Sequence, residues 1–128
     1  MIGMTDEYLR IQKLLFDIYK SSTRIIKRAE FKTEEEFFLP SGEDLRDIVA
    51  RHLGIIGEAT AALLKKHPKF CEAHPEIPLR QARSLRNLLI HEYDGVDWHT
   101  IWVVVERDIP NLLEAVTSLL DKDTLDEN

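Results

Sequence analysis

Four side chains capable of polar chemistry lie within eight positions of the stretch RNLLIHEY, residues 86–93. They are Arg86, Asn87, His91 and Tyr93. An arginine can bind a phosphate through two parallel hydrogen bonds. A histidine, whose ordinary pKa is about 6.5, can accept or donate a proton near neutral pH. This combination favours chemistry at a phosphate group over the surface of an ordinary helix.

These side chains are positioned by a helix that the sequence predicts from Pro78 to Glu92. At about 100° per residue, a helix with Leu85 at the centre of its buried face turns several other apolar residues toward the core. They are Pro78, Ala82, Leu88 and Leu89. Arg86 and Tyr93 share one edge, and the outward-facing residues are Arg80, Arg83, Asn87, Ile90 and His91. The outward face therefore predicts a partner surface that also holds a phosphate.

The spacing of Arg86 and His91 predicts a site shared between two chains. Five positions separate them by about 140° on a regular helix, so they do not converge within one chain. A two-fold dimer would bring both copies together in a cleft that suits RNA cleavage without a metal ion. His91 would take the proton from a ribose 2′-OH or give one to the leaving 5′-oxygen. Arg86 would stabilise the charge on the pentacoordinate phosphorus, Asn87 would orient the phosphate or the imidazole, and Arg83 and Arg80 could contact RNA.

The rest of the chain predicts an all-α, up-and-down helical bundle with short connections, in a single domain over residues 1–128. Apolar residues recur at helical spacing in each long segment, and no strand is predicted. The acidic tail from about residue 121 is expected to fray. Besides the helix from Pro78, the long helices are expected over Asp6–Ala29, from Ser41 to beyond Leu63, and over Asp97–Leu120.

Local signals set the expected helix ends. Thr5 is a predicted N-cap, and Ser41 with Asp44 resembles a capping box. Gly57 lies inside the second long helix, where a close approach of another helix could offset its cost of about 1 kcal/mol relative to alanine. Pro110 predicts either a kink or a new helix in the last segment.

The composition excludes several classes of protein. The net charge is −6, so a general nucleic-acid coating protein is disfavoured, and RNA binding would need a local patch. The longest apolar run, IWVVV at residues 101–105, is far too short to span a membrane. A single cysteine, Cys71, allows no internal disulfide, and no signal peptide is apparent. A cytoplasmic protein is expected.

No metal and no cofactor are expected. His67, Cys71 and His74 have a suggestive spacing, but prolines follow both histidines and a fourth ligand is missing. Glu58 is expected either to support an interface or pair with an arginine, or to be solvated. Trp98 and Trp102, four positions apart, are expected in the core or an interface rather than in a base-stacking platform.

Three blocks of the sequence resemble the HepT toxins of the HEPN ribonuclease superfamily. Arg86 to Tyr93 matches the R-x4-H-x-Y motif of those toxins, a form of the R-x4-6-H motif of HEPN ribonucleases. The segments IIGEA at 55–59 and VDWHTIWVVVERDIPNL at 96–112 resemble the same family in order and spacing. The resemblance covers most of the chain from about residue 41 onward.

The resemblance implies a HEPN-type bundle that dimerises through its motif helices and a metal-independent endoribonuclease that is usually toxic. Arg86 and His91 would be catalytic, and Asn87 would be the polar residue that often follows the arginine. The partner would be an MNT-type minimal nucleotidyltransferase antitoxin. That enzyme would transfer AMP from ATP to Tyr93 and silence the toxin.

Two other functions remain open at this point. The first is a non-catalytic helical dimer that binds a nucleotidyltransferase, a nucleotide or RNA, which the acidic balance and the lack of a broad basic stripe favour. The second is a purely structural homodimer, which the motif makes the weakest hypothesis. RNA binding without cleavage by unmodified protein would distinguish the first from a ribonuclease.

Overall fold

A computed structural model describes residues 5–89 and 95–121. Within those residues the chain is an all-α bundle without a strand, so the predicted fold class is confirmed. The α-helices are α1 (Asp6–Ala29), α2 (Glu34–Phe38), α3 (Glu43–Lys66), α4 (Pro68–Ala73), α5 (Leu79–Ser84), α6 (Trp98–Val103) and α7 (Ile109–Thr117). Tighter 3-10 turns cover Pro40–Gly42 and Leu85–Leu89, and a wider π turn covers Val104–Asp108.

Helix α1 has the predicted bounds because its cap, charges and apolar stripe agree. The Thr5 hydroxyl accepts a hydrogen bond from the Tyr8 N–H at 3.0 Å, which satisfies a free donor of the first turn. Acidic residues occupy the first turn and basic residues the last, as the helix dipole favours. The buried stripe of α1 includes Ile11, Leu15, Ile18 and Ile25. This stripe packs against α3 and α7.

The capping box lies one helix earlier than predicted. Thr33 and Glu36 form it at the start of α2: the Thr33 hydroxyl accepts from the Glu36 N–H, and the Glu36 carboxylate accepts from the Thr33 N–H. Ser41 instead lies inside the 3-10 turn, and α3 begins at Glu43 with Gly42 as an N-cap that has no side chain to contribute. The prediction of a Ser41 cap was wrong because Pro40 starts its own turn.

Helix α3 lies at the centre of the bundle. It packs against α1 on one flank and against α5 and the turn Leu85–Leu89 on the other. Its buried apolar residues are Val49, Leu53, Ile56, Ala59 and Leu63. The described part of the motif stretch, residues 86–89, is therefore packed against the central helix of the bundle.

The helix predicted over Pro78–Glu92 is not a regular α-helix. Helix α5 ends at Ser84, and the chain tightens into the 3-10 turn Leu85–Leu89. A 3-10 turn rotates about 120° per residue, so side chains three positions apart lie over one another. The remainder of the predicted helix, residues 90–92, lies outside the described residues.

Pro110 lies in the first turn of a new helix, which is one of the two alternatives that the sequence left open. That helix is α7, and the π turn Val104–Asp108 joins it to α6. Proline has no N–H to donate, and its ring crowds the carbonyl four residues earlier, so the chain widens at Glu106. Helix α7 ends at Thr117 rather than at Leu120.

Helix α6 is capped as predicted by Asp97. Its carboxylate accepts hydrogen bonds from the Thr100 hydroxyl at 2.7 Å and the Thr100 N–H at 3.1 Å, and these bonds lower the pKa of Asp97. Trp102 is buried and Trp98 is half-buried, and both rings contact Phe37. The two tryptophans belong to the core, as expected.

The end of the described chain is tied back to α1. The Gln12 amide donates to the Leu119 carbonyl at 3.0 Å and accepts from the Asp121 N–H at 2.9 Å. The Tyr8 hydroxyl donates to the Asp121 carboxylate at 2.6 Å. Asp121 is thus held in place, and the rest of the tail predicted to fray lies outside the described residues. No helix within 5–89 and 95–121 combines the length and apolar character needed to cross a bilayer.

Candidate active site

The predicted site residues that the structure describes are all on the surface. Arg80 and Arg83 lie on α5, and Arg86 and Asn87 lie on the 3-10 turn that follows. All four side chains are exposed. The other predicted site residues, His91 and Tyr93, lie outside the described residues, as does Ile90, which the sequence predicts to face outward.

The backbone and Cβ atom of Arg86 pack closely against Gly57 of α3. A Cβ atom placed on Gly57 would lie 2.9 Å from Arg86 Cβ and 3.2 Å from the Arg86 backbone nitrogen. Contacts below 3.0 Å force one partner to move, so only glycine leaves room here. The sequence predicted a close approach of another segment at Gly57. The structure confirms it, and the segment is the turn that carries Arg86.

A second glycine of α3 faces the same turn. A Cβ on Gly54 would lie 4.0 Å from Leu89 Cδ1, which is an ordinary van der Waals contact. Arg86 and Leu89 are three positions apart, as are Gly57 and Gly54, so the two pairs meet face to face. Both contacts can form at once because a 3-10 turn places residues three positions apart on the same side, here the side that faces α3.

This arrangement corrects the predicted helical wheel. At 100° per residue, Leu89 was expected beside Leu85 on the core face, with Arg86 at an edge. In the structure Leu85 is buried, and the half-buried Leu88 and Leu89 pack against the core, as predicted. The angle of 140° predicted between Arg86 and His91 assumed a regular α-helix throughout and does not hold over residues 85–89.

The arginines form a locally positive surface. Arg80, Arg83 and Arg86 form no ion pair with any described acidic residue. Glu58, the residue next to Gly57, is exposed and is not paired with an arginine within the described part of the chain. Guanidinium groups free of carboxylates are available to an external anion, and their fork geometry matches a phosphate.

The residues with metal-like spacing have other partners. His67 is buried with its Nδ1 atom 3.3 Å from the Glu7 carboxylate. His74 lies 3.0 Å from the Glu76 carboxylate. Burial, and then the neighbouring Glu72, raise the pKa of the Cys71 thiol, which disfavours the thiolate that zinc binds. Across 5–89 and 95–121, no three potential ligands of this kind come together.

The residue that sequence reasoning did not assign to the site is Gly57. Its signal was present in the pair Gly54 and Gly57, spaced three apart on one face of a long helix. Glycine inside a helix is unfavourable by about 1 kcal/mol, so two in register indicate a close partner. The sequence could not show that the segment packed against these glycines is the turn Leu85–Leu89, because that contact depends on the tertiary fold.

A family model described as Ribonuclease HepT-like matches residues 18–119 of the chain. The chain belongs to the HepT-like ribonuclease family. The match includes the whole RNLLIHEY stretch, both glycines of α3 and the π turn. The family predicted from the three sequence blocks is confirmed, and membership supports a ribonuclease activity.

Named relatives agree with this family. "Putative RNase MJ1380" of Methanocaldococcus jannaschii is 32% identical over 83% of this chain and 93% of its own length. "Probable ribonuclease HepT" of Thermococcus cleftensis is 48% identical over 50% of this chain and 56% of its own length. "Gamma-glutamylcyclotransferase and putative RNase MJ0434" of M. jannaschii is 37% identical over 87% of this chain, which spans only 47% of that protein. No solved structure is a significant match.

Proposed function

We propose that this ribonuclease-family chain is a metal-independent endoribonuclease toxin that cleaves RNA with Arg86 and His91. The main support is the contact between Arg86 and Gly57, which fixes the motif arginine while its charged end remains exposed and free of described carboxylates. A guanidinium carried on an anchored backbone can stabilise the charge on a transferring phosphoryl centre. Family membership supports the same assignment.

The proposed reaction uses the RNA itself as nucleophile. The ribose 2′-oxygen forms a bond to the adjacent phosphorus as its proton passes to a base, and the bond to the 5′-oxygen breaks as that oxygen takes a proton. The products are a 2′,3′-cyclic phosphate and a 5′-hydroxyl. His91 supplies the acid–base step, and Arg86 stabilises the added negative charge. Asn87 orients the phosphate or the imidazole, and Arg83 and Arg80 contact the RNA backbone.

The proposed active unit is a homodimer. Two copies that meet through their motif helices form one cleft with two arginines and two histidines. The arginine surface of α5 and the following turn is exposed in the single chain and so is available for such a cleft. A cytoplasmic location goes with an RNA substrate.

The 2′-hydroxyl chemistry is tested by substrate choice. Unmodified RNA should be cleaved, whereas the same sequence with 2′-O-methyl riboses should be cut at least about 1,000-fold more slowly, because its nucleophile is blocked. Gel analysis of end-labelled substrates measures both rates. Equal cleavage of the two substrates would show that an external water is the nucleophile and would contradict the proposed reaction.

We propose in addition that an MNT-type nucleotidyltransferase antitoxin silences the protein at Tyr93. The phenolic oxygen of Tyr93 would attack the α-phosphorus of ATP, pyrophosphate would leave, and the phenolic proton would be released. The attached phosphate would carry negative charge to the arginine surface and compete with RNA for it.

The Tyr93→Phe variant should escape this silencing. Wild-type protein incubated with such an antitoxin and ATP should gain the mass of AMP and lose RNA cleavage. The Tyr93→Phe variant should gain no mass and keep cleaving, whereas Tyr8→Phe, a change at a half-buried tyrosine of α1, should behave like the wild type. Intact mass spectrometry and a cleavage assay measure the two effects. AMP on the Tyr93→Phe variant would contradict the assignment.

A further inference from the structure

A second positive surface lies on the other flank of α3. A groove of about 650 Å³ runs between α1 and α3 and is lined by both helices. Its lining includes Tyr19, Lys20, Arg24 and Lys27 of α1 and His52 and Ile55 of α3. His52 and Ile55 point roughly 160° away from Gly54 and Gly57 around α3, so this groove is separate from the Arg86 surface.

The groove is basic although the whole chain is acidic. Lys20, Arg24 and Lys27 recur at helical spacing on α1, and all three are exposed. None of them pairs with an acid among the described residues. The one carboxylate in the lining, Asp17, is already bound by Lys13 at 2.8 Å.

Two polar side chains, His52 and Ser21, lie in the groove beside positively charged groups. His52 Nδ1 and the buried Ser21 Oγ are hydrogen-bonded at 3.0 Å. Burial, and then the guanidinium groups of Arg24 and Arg51, lower the pKa of His52. Burial is the main cause, and the two guanidinium groups add to it with a positive charge that would also attract an anion.

Aromatic rings lie beside the cations. Tyr19 lines the groove and stacks on Phe16 with ring centroids 5.9 Å apart. The Lys20 ammonium lies 4.9 Å from the centroid of the Phe16 ring. Single-stranded nucleic acids are bound by this combination of a basic groove, which follows the phosphates, and aromatic faces, on which bases stack.

We propose that the α1–α3 groove is a second RNA-binding surface, which holds the phosphate backbone of a single-stranded part of the substrate away from the cleavage site. The inference takes RNA as the ligand and so rests on the proposed function. Lys20, Arg24 and Lys27 contact phosphates, and Tyr19 offers a face to a base. The groove contributes to RNA affinity and not to the chemical step.

The test compares two triple variants that remove the same charge. Lys20→Gln/Arg24→Gln/Lys27→Gln changes the groove, and Lys65→Gln/Lys66→Gln/Lys69→Gln changes exposed lysines at the end of α3 and on α4. Binding is measured by fluorescence anisotropy with single-stranded 2′-O-methyl RNA at several salt concentrations, so that cleavage plays no part. Circular dichroism checks that both variants are folded.

The groove variant should bind RNA at least tenfold more weakly at low salt. The slope of log Kd against log salt should fall by about 2, because each lost phosphate contact on a single strand contributes about 0.7. The control should keep the wild-type slope. Cleavage of unmodified RNA by the groove variant should show a raised KM with an unchanged kcat.

Three outcomes would contradict the proposal that the groove binds RNA. The first is an equal slope of log Kd against log salt in the two triple variants, and the second is that the wild-type protein binds polyglutamate as tightly as RNA. The third is a lowered kcat with an unchanged KM in the groove variant. Failure of the proposed function is seen separately, as absent cleavage of unmodified RNA. Groove-dependent binding without cleavage would leave the RNA-binding surface in place and refute only the ribonuclease mechanism.

Discussion

Replacing Arg86 with alanine is expected to slow RNA cleavage by about 100- to 1,000-fold, the usual effect of removing one preorganised group that stabilises transition-state charge. His91→Ala is expected to slow it by about 100- to 10,000-fold, because the acid–base step loses its proton carrier. The Arg86 side chain is exposed, and its Cβ contact with Gly57 survives truncation to alanine. The Arg86→Ala fold should therefore persist.

Single-turnover cleavage and thermal melting separate chemistry from stability in these variants. Arg10→Ala, which removes another exposed arginine at the start of α1, is the matched control and should cleave at the wild-type rate. Wild-type cleavage by both Arg86→Ala and His91→Ala would remove the motif from the mechanism. Loss of cleavage together with loss of the folded state in Arg86→Ala would show that the arginine is structural instead.

Replacing Gly57 with alanine is expected to slow cleavage by up to about 100-fold without touching any group that contacts RNA. The new methyl group would lie 2.9 Å from Arg86 Cβ and 3.2 Å from the Arg86 backbone nitrogen, so the turn Leu85–Leu89 must move. A displacement of about 1 Å at a catalytic group can cost that much rate. Overpacking costs about 1–3 kcal/mol and the better helix propensity of alanine returns about 1 kcal/mol, so a modest net loss of stability is expected.

Gly54→Ala is the matched control because it makes the same change three positions earlier in α3. Its methyl group would meet Leu89 Cδ1 at 4.0 Å, an ordinary contact. This variant should keep wild-type cleavage and gain up to about 1 kcal/mol of stability. Urea unfolding and cleavage rates should be measured for both variants. If Gly57→Ala were as active as the wild type, Gly57 would have no role in positioning Arg86.

The parts of the fold that were predicted correctly are those in which local signals agree. Helix α1 has its predicted bounds because the Thr5 cap, the terminal charges and the apolar stripe all favour the same segment. Asp97 was a correct N-cap for the same reason. Ser41 was not, because the capping signals of Thr33 and the turn started by Pro40 lie just before it.

The parts that could not be predicted depend on contacts between distant segments. The 3-10 turn Leu85–Leu89 follows from packing on Gly54 and Gly57, some thirty positions earlier in the chain. A sequence pattern identifies apolar residues, but it does not give the rotation per residue once another helix presses on the backbone. The rotation of 100° per residue assumed for residues 85–89 was wrong for that reason, although Leu88 and Leu89 do pack against the core as predicted.

The candidate site was only partly accessible to sequence reasoning. Arg86 and Asn87 could be assigned to an exposed surface from the helical pattern, and the structure has them there. The α1–α3 groove was missed because its cations and its histidine come from two helices. The helical spacing of Lys20, Arg24 and Lys27 was visible in the sequence, but the overall charge of −6 drew attention away from it.

The most direct test of the central claim is an RNA-cleavage assay in excess EDTA, with protein shown by intact mass to be unmodified and His91→Ala alongside. We expect the wild-type protein to cleave RNA in EDTA and leave 2′,3′-cyclic phosphate ends, and the His91→Ala variant to lose that activity. Absence of cleavage of tRNA, mRNA and rRNA by the unmodified protein would contradict the claim. That result would instead favour a non-catalytic dimer that binds RNA, a nucleotide or a nucleotidyltransferase.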